Sequence, residues 1–210
     1  MQKGIYKKRI LLCLFFLFIS ISVFSEDKNF VNWKLSFVLE DETEADTNDL
    51  SHILKLPSGT EYSLLIESEE DAECYVVLEQ SDKKELVLYK GPITAGKQIY
   101  LPQENFGSEV FKINSDSGVE KIHIVVSRNS QTDLEKLLKN NTSNIINKNF
   151  SDKVIDEISS LKQNASSYTE QPVKPAVTGG TTRQFSAKRV RPYTEFNGAD
   201  LYVKTIRISH

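Results

Sequence analysis

The sequence predicts a mainly β protein: an antiparallel β-sandwich with a short helical segment and a C-terminal strand after a flexible linker. Between residues 33 and 127, short apolar runs alternate with polar residues, and turn residues recur about every 8 to 12 positions, which favours antiparallel strands over βαβ units. After residue 130 the apolar spacing becomes helical. The predicted segments are a signal peptide (1–25), a β-sandwich domain (26–130), a helical segment (131–162), a flexible linker (163–195) and a C-terminal strand (196–210).

The N-terminus has the pattern of a secretory signal peptide. Residues 1–9 contain four cations and no acid, and residues 10–24 are almost entirely apolar. Val23 and Ser25 are small enough for a cleavage site, so we expect a cut after Ser25. The apolar run is shorter than the ~20 residues of a membrane-spanning helix. We therefore expect an exported protein, periplasmic, surface-exposed or secreted, with no membrane span after cleavage; an uncleaved anchor is the alternative.

Cysteine content predicts no disulfide within the mature chain. Cys13 falls inside the predicted signal peptide, preceded by Leu12 where a lipoprotein signal has a small residue, so lipidation is the minor interpretation. Cys74 is then the only cysteine left in a compartment that would permit disulfides. Its strand-like run, residues 74–78, predicts a small apolar core residue, and a free reactive thiol is the alternative.

The first strand is predicted where apolar positions alternate from Trp33 to Leu39, which buries one face. The acidic residues 40–49 that follow predict a solvated loop. Further strands are predicted at 53–56, 62–66, 74–78, 86–89, 99–101, 110–113 and 122–126. The predicted core consists of Trp33, Leu35, Phe37, Leu64, Ile66, Tyr75, Val77, Leu86, Leu88, Ile99, Val110, Ile122, Ile124, Val126, Val203 and Ile206.

Two helices are predicted after the strands. Thr132 and Glu135 form a capping box, with Thr132 at the cap, and a second apolar face runs through 151–161. Polar residues, glycines and prolines make 163–195 a predicted linker. The apolar strand 201–208 must then pair with something, either the domain's own sheet or another molecule. The helical apolar positions are Leu134, Leu137 and Leu138, then Val154, Ile155, Ile158 and Leu161.

Charge is unevenly distributed along the mature chain. Residues 26–171 contain 15 cations and 27 anions, a net charge of −12, whereas residues 172–210 contain seven cations and two anions, a net charge of +5. Export and an acidic body both argue against nucleic acid as a partner. A basic end can dock on its own acidic domain or on an acidic partner.

No catalytic, metal or cofactor motif is found in the sequence, so we predict a non-enzymatic protein without a cofactor. His52, His123 and His210 have no acid or cysteine at a recognised metal-ligand spacing. The acidic runs at 40–49 and 67–73 lack the glycine and closing glutamate of a calcium loop, so we interpret them as solvated loops. Calcium binding is the minor alternative.

The candidate binding residues are a basic and aromatic group near the C-terminus. Arginine and aromatic residues are enriched at protein interfaces. The group either wraps the protein's own acidic domain or contacts a partner, which would be another envelope protein or an envelope polymer. These residues are Arg183, Phe185, Lys188, Arg189, Arg191 and Tyr193.

A series of patterned segments runs from Pro57 to Ser127. They are Gly59-Thr60-Glu61-Tyr62, Cys74-Tyr75-Val76-Val77-Leu78, Ala95-Gly96-Lys97, Ile99-Tyr100-Leu101-Pro102 and Gly118 to Ser127. Their order resembles a bacterial family catalogued as domain of unknown function 4384. The chain departs from that family at 83–85 and 90–92, where an Asp-Gly hairpin and a Leu-aromatic-Pro run are usual. The resemblance implies an envelope-associated β-domain and implies no activity.

Three hypotheses on function follow. The first is an exported, non-enzymatic binding or accessory domain that acts through protein–protein contacts. The second is a structural envelope component that donates its C-terminal strand to a partner. The third is a hydrolase whose site is assembled only in three dimensions; His52 or His123 within hydrogen-bond reach of a carboxylate in a cleft would favour it.

Overall fold

The structure is a computed structural model that describes residues 30–39, 49–81, 85–103, 107–113, 117–139, 145–146, 148–173 and 192–210. The predicted signal peptide lies outside the described residues. Neither helix in the described part of the chain combines the length and the apolar character needed to cross a membrane.

The described residues contain eleven strands and two helices. In chain order they are β1 (Val31–Leu39), β2 (Ile53–Lys55), β3 (Glu61–Ser68), β4 (Ala72–Glu79), β5 (Glu85–Ile93), β6 (Gln98–Leu101), β7 (Phe111–Lys112), β8 (Val119–Ser127), α1 (Thr132–Lys139), α2 (Lys148–Asn164), β9 (Thr169–Val173), β10 (Tyr193–Ala199) and β11 (Leu201–Ser209).

The strands form two sheets that pack face to face, which confirms the predicted antiparallel sandwich. Sheet A has the order β6-β3-β1-β10-β9, with β7 also paired to β3. Sheet B has the order β2-β11-β8-β4-β5. Neighbouring strands run antiparallel except for the parallel pair β2 and β11. Alternation of apolar side chains therefore turns one face of each sheet towards the other.

An aromatic cluster joins the two sheets. Trp33 of β1 stacks on Phe196 of the neighbouring strand β10, with 4.1 Å between ring centroids and an interplanar angle of 11°. Tyr202 of sheet B meets Trp33 edge-on at 6.1 Å. All three side chains are buried. Such contacts add to the burial of large apolar surface, so this cluster is a main stabilising contact of the sandwich.

A second apolar core lies on the outer face of sheet B, where α1 and α2 pack. Tyr75, Val77, Val125 and Val203 turn to this side and contact the helices, so the domain has three layers. This explains why the run at 74–78 is apolar at every position. Cys74, in contrast, belongs to the core between the sheets.

Most of the predicted core residues are buried, with three corrections. Leu86, Ile99 and Val110 are only half-buried. Leu86 and Ile99 lie on β5 and β6, which are edge strands and have one open side. Val110 precedes the two-residue strand β7, so strand alternation does not apply to it. The residues buried between the sheets as predicted are Trp33, Leu35, Phe37, Leu64, Ile66, Leu88, Ile122, Ile124, Val126 and Ile206.

The start of α1 differs from the predicted capping box by one residue. The N–H of Glu135 donates to the carbonyl oxygen of Gln131 at 2.8 Å, which makes Gln131 the cap and Thr132 the first helical residue. The Glu135 carboxylate accepts hydrogen bonds from the Ser130 hydroxyl at 2.5 Å and the Tyr75 hydroxyl at 2.9 Å. Glu135 thereby ties the first turn of α1 to sheet B.

The predicted linker and terminal strand also need correction. Within 163–195 the structure places the end of α2, all of β9 and the first residues of β10. β9 was not predicted because it is an edge strand with an exposed face, and its residues show little apolar alternation. The C-terminal segment forms two strands, not one. Both pair with the domain's own strands: β10 with β1 and β9, and β11 with β8 and β2.

Replacing Trp33 with alanine tests the aromatic cluster. Trp33→Ala removes the stacking partner of Phe196 and leaves a cavity between the sheets, so we expect a loss of about 3 to 5 kcal/mol in the free energy of unfolding. Urea unfolding measures it. The matched control is Tyr100→Ala, whose side chain is 55% exposed and whose loss should stay within about 0.5 kcal/mol. Similar losses for the two variants would contradict the central position of Trp33.

Candidate functional site

Of the predicted binding residues, only Tyr193 is described by the structure. Arg183, Phe185, Lys188, Arg189 and Arg191 lie outside the described residues. Tyr193 is the first residue of β10 and is half-buried.

Tyr193 lies on the outer face of sheet A. The ammonium nitrogen of Lys34, on the adjacent strand β1, is 5.8 Å from the centroid of the Tyr193 ring, within range of a cation–π contact. Because β10 is held between β1 and β9, the position of Tyr193 is fixed by the sheet.

A row of five residues crosses this face. We call it the aromatic row because it contains Tyr100 and Tyr193; its other members are Leu65, Val173 and the buried Ser36. Tyr100 lies opposite Leu65, and Leu65 lies opposite Ser36. The last pair of β1 and β10 is Leu35 with Thr194, so the next residues, Ser36 and Tyr193, lie side by side. Tyr193 also lies opposite Val173 of β9. Five neighbouring strands thus contribute one residue each. At about 4.8 Å between strands, the row extends for roughly 19 Å.

A polar row runs beside the aromatic row. Gln171, Glu195, Lys34, Glu67 and Gln98 lie opposite one another across the same five strands. The side-chain nitrogen of Gln98 donates to Glu67 at 2.7 Å. This row contributes carboxylates and amides that can bond to a ligand or to a partner's backbone.

Lys34 is the only cation in the polar row. Its ammonium group lies 3.1 Å from a carboxylate oxygen of Glu69. The hydrogen bond to Glu69 raises the pKa of Lys34, against the opposing effect of burial, and Glu195 and Glu67 add to the rise. Lys34 is therefore surrounded by carboxylates, and this part of the face is acidic. Aromatic and hydrogen-bonding side chains together on an exposed sheet are typical of a contact surface.

The edge of the same face is where the basic segment joins the fold. Tyr193 and Val173 are opposite each other in the β9–β10 pair. The chain between them, residues 174 to 192, has 19 residues. Antiparallel neighbours are usually joined by 2 to 5 residues, and much longer connections are usually functional or linkers. The segment contains five cations and no acid: Lys174, Arg183, Lys188, Arg189 and Arg191.

A polar cluster lies on the outer face of sheet B, at the boundary of the helical layer. Glu79 accepts a hydrogen bond from Lys121 at 2.9 Å, and its other oxygen lies 3.3 Å from Nε2 of His123. The Nδ1 atom of His123 lies 3.2 Å from the hydroxyl of Thr205. Sequence reasoning missed this cluster because its members are far apart in the chain and meet only through the β11-β8-β4 pairing.

Burial and charge shift the pKa values in this cluster. Burial lowers the pKa of His123, and the Glu79 carboxylate opposes this effect. For Glu79 the effect of burial is outweighed by hydrogen bonds from Lys121 and His123, so its pKa is lowered. At neutral pH the cluster therefore holds the Glu79 carboxylate and a neutral His123 imidazole.

The hydrolase hypothesis requires a histidine within hydrogen-bond reach of a carboxylate in a cleft. His123 lies within reach of Glu79, which meets the first part of this requirement. His123 is 7% exposed, and a surface depression in the described part of the protein is lined by other residues. That depression, of about 260 Å³, lies at the ends of β4, β5 and β8 and is lined by residues including Asp71, Glu73, Pro92 and Arg128.

The other two histidines differ in their environment. His52 lies 3.4 Å from Asp49, but its side chain is 83% exposed. The His210 ring is buried, with Nε2 at 3.9 Å from Glu120. The described residues contain no group of three or more histidine, cysteine, aspartate or glutamate side chains placed to hold a metal ion. Cys74 is fully buried, and burial raises the pKa of its thiol, which disfavours the reactive thiolate.

An ion pair crosses between the sheets at one side of the sandwich. Lys204 of β11 contacts the carboxylate of Glu170 on β9, and its side chain is 7% exposed. Its ammonium group also lies 5.9 Å from the centroid of the Phe196 ring. This buried lysine is satisfied within the fold, which gives it a structural role.

No family model, curated protein or solved structure matches this chain.

The buried imidazole of His123 predicts a pH dependence of stability. Because the folded pKa lies below the ordinary value of 6.5, the unfolded chain binds a proton more readily than the folded one. The free energy of unfolding should then fall as the pH falls below about 6.5, by at most ~1.4 kcal/mol per pH unit for this group. His123→Gln should flatten the dependence between pH 7 and pH 5, measured by urea unfolding. His52→Gln, at an exposed position, should keep the wild-type slope; an unchanged slope in His123→Gln would contradict the assignment.

Proposed function

We propose that this protein is an exported, non-enzymatic binding domain that acts through protein–protein contacts at the cell envelope. Its contact surface is the outer face of sheet A together with the basic segment that enters this face at Tyr193. One observation carries the proposal: the chain leaves sheet A at Val173 and returns at the residue opposite, Tyr193, only after 19 further residues. Chain closure does not require such a length.

The position of this segment suits binding. Recognition in β-sandwich domains is commonly carried by connections that leave a rigid pair of sheets, because the scaffold fixes their ends. Here both ends are fixed, since β9 and β10 pair along five residues. With five cations and no acid, the segment favours an acidic patch on the partner. The face itself is acidic in its polar row, so it contributes the apolar contact of the aromatic row and hydrogen-bond acceptors.

Export is the second part of the proposal. The cationic start, the apolar run and the small residues Val23 and Ser25 support secretion. The resemblance to domain of unknown function 4384 supports an envelope-associated role. We accordingly propose a periplasmic or surface location and another exported protein as partner, with an anionic envelope polymer as the competing outcome of the test.

The pairing of β11 supports binding over strand donation. β11 has β8 on one side and β2 on the other, and β10 is likewise inside sheet A. If either strand were donated to a partner, the backbone hydrogen bonds to the neighbouring strands on both of its sides would be broken. An exposed contact surface requires no such rearrangement.

Hydrolysis is the second candidate function, favoured by the row of Thr205, His123 and Glu79. A hydroxyl, an imidazole and a carboxylate in sequence are the parts of a nucleophilic site. Hydrolysis of an activated ester such as p-nitrophenyl acetate distinguishes the hydrolase from the binding domain. Turnover abolished in His123→Gln but not in His52→Gln would support the hydrolase; equal background rates in wild type and variant would support the binding domain.

Replacing residues 174–192 with an Asn-Gly turn tests the binding proposal. Such a turn fits a two-residue hairpin, so β9 and β10 should remain paired and the unfolding midpoint in urea should change little. Co-purification from intact cell envelope with the tagged protein, quantified by mass spectrometry, should lose an acidic protein partner.

The charge variant Arg183→Gln/Arg189→Gln/Arg191→Gln should also weaken this recovery at moderate salt. Its matched control is Lys136→Gln/Lys139→Gln on the exposed side of α1, which should leave recovery unchanged. Undiminished recovery of the partner by the folded turn variant would refute the proposed surface. Recovery of polymer without protein would overturn the protein–protein assignment.

A further inference from the structure

The helices cover only one end of the outer face of sheet B. Beyond the polar cluster of His123, this face continues into a region that neither α1 nor α2 packs against. We call this region the basic strip and define it as Ile53, Lys55, Val119, Lys121 and Arg207. It is separate from the surface proposed above, which lies on the other sheet.

The basic strip has a regular arrangement. One row across β2, β11 and β8 consists of Ile53, Arg207 and Lys121. The next row on the same face, two residues further along each strand, consists of Lys55, Ser209 and Val119. Ile53 is 44% exposed and Val119 is 43% exposed. Two β-branched apolar side chains thus remain in solvent between cations. Scattered apolar residues are ordinary on a surface, but here they are interleaved with one sign of charge.

The charges of the strip are poorly balanced within the fold. Lys121 is paired with Glu79. Lys55 and Arg207 make no side-chain hydrogen bond or ion pair with another residue in the described part of the chain. The domain on which they lie includes residues 26–171, whose net charge is −12. The strip is therefore a local positive region on an acidic domain, and complementary charge makes an acidic ligand the matching one.

The edge of sheet B indicates the form of that ligand. β2 is the terminal strand of sheet B and pairs only with β11 among the described strands. Its outer edge can receive the backbone of an extended chain. A lipid surface would not use such an edge, and the strip has two aliphatic side chains and no aromatic one to insert into a membrane.

We propose that the basic strip docks an extended acidic segment of a partner protein. Carboxylates of the segment pair with Lys55 and Arg207, and an apolar side chain on the same face of the segment covers Ile53. Because successive side chains of an extended chain point to opposite faces, the ligand pattern is acidic, any residue, apolar, any residue, acidic. This site does not depend on the basic segment at Tyr193.

The test uses a fluorescein-labelled ten-residue peptide, Glu-Ser-Val-Ser-Glu-Ser-Val-Ser-Glu-Ser in sequence, whose glutamates and valines share one face when it is extended, with binding to the full chain measured by fluorescence anisotropy. We expect saturable binding that weakens as salt rises, because exposed charges are screened. Lys55→Glu/Arg207→Glu should weaken it at least about tenfold. Ile53→Ser should weaken it by roughly threefold, through loss of part of an aliphatic contact. The matched control, Lys97→Glu/Lys136→Glu, reverses two exposed cations elsewhere and should bind as wild type does.

Three results would overturn the proposal. Equal affinity in Lys55→Glu/Arg207→Glu and in the control would place the binding elsewhere. Equal affinity for the same peptide with each valine replaced by serine would remove the apolar part of the contact. Binding to vesicles of anionic phosphatidylglycerol without binding to the peptide would assign the strip to lipid. Unchanged peptide binding after replacement of residues 174–192 separates this site from the one on sheet A.

Discussion

The closure of the sandwich by its two C-terminal strands, one in each sheet, is the contact on which the rest of the structure depends. β10 enters sheet A and β11 enters sheet B, and the chain crosses between them at Asp200. At this corner the Tyr202 hydroxyl accepts a hydrogen bond from the N–H of Ala199 at 2.8 Å, while its ring meets Trp33. The same two strands carry Tyr193, Thr205 and Arg207. Both proposed surfaces and the polar cluster therefore form only when the C-terminus has docked.

The buried ion pair between Lys204 and Glu170 fixes β9 at the same corner. Removing a lysine from water is costly unless its charge is compensated, and Glu170 supplies that compensation from the edge of sheet A. Tyr168, next to β9, also donates to the carbonyl oxygen of Val203 at 3.3 Å. These contacts tie β9 to β11 across the sheets. They explain how a strand with little apolar content is ordered, and they hold Val173, where the basic segment begins.

The sequence predicted the strands that have one buried face and was less informative about the others. Leu35 and Phe37 alternate with polar residues, so their strand was predictable from its period. Tyr75 and Val77 are apolar for a different reason than Cys74, because helices cover one side of β4, and a continuous apolar run does not distinguish the two faces. β9 was missed, since it is a mostly polar edge strand with little apolar alternation. The contact of His123 with Glu79 was likewise beyond prediction, because it follows from the register of β8 on β4, which local pattern does not determine.

The two proposed surfaces lie on opposite sides of the sandwich, and this arrangement has a consequence for binding. The outer faces of sheets A and B are separated by both sheets and their shared core, and packed sheets alone stand about 10 Å apart. A partner on the aromatic row cannot touch Ile53 or Arg207, so occupancy of one face does not exclude a ligand from the other. Coupling between them would have to pass through the β10–β11 corner, where Trp33, Phe196 and Tyr202 are tightly packed and leave little room for a second arrangement. Independent binding at the two proposed faces is therefore the behaviour that this fold favours.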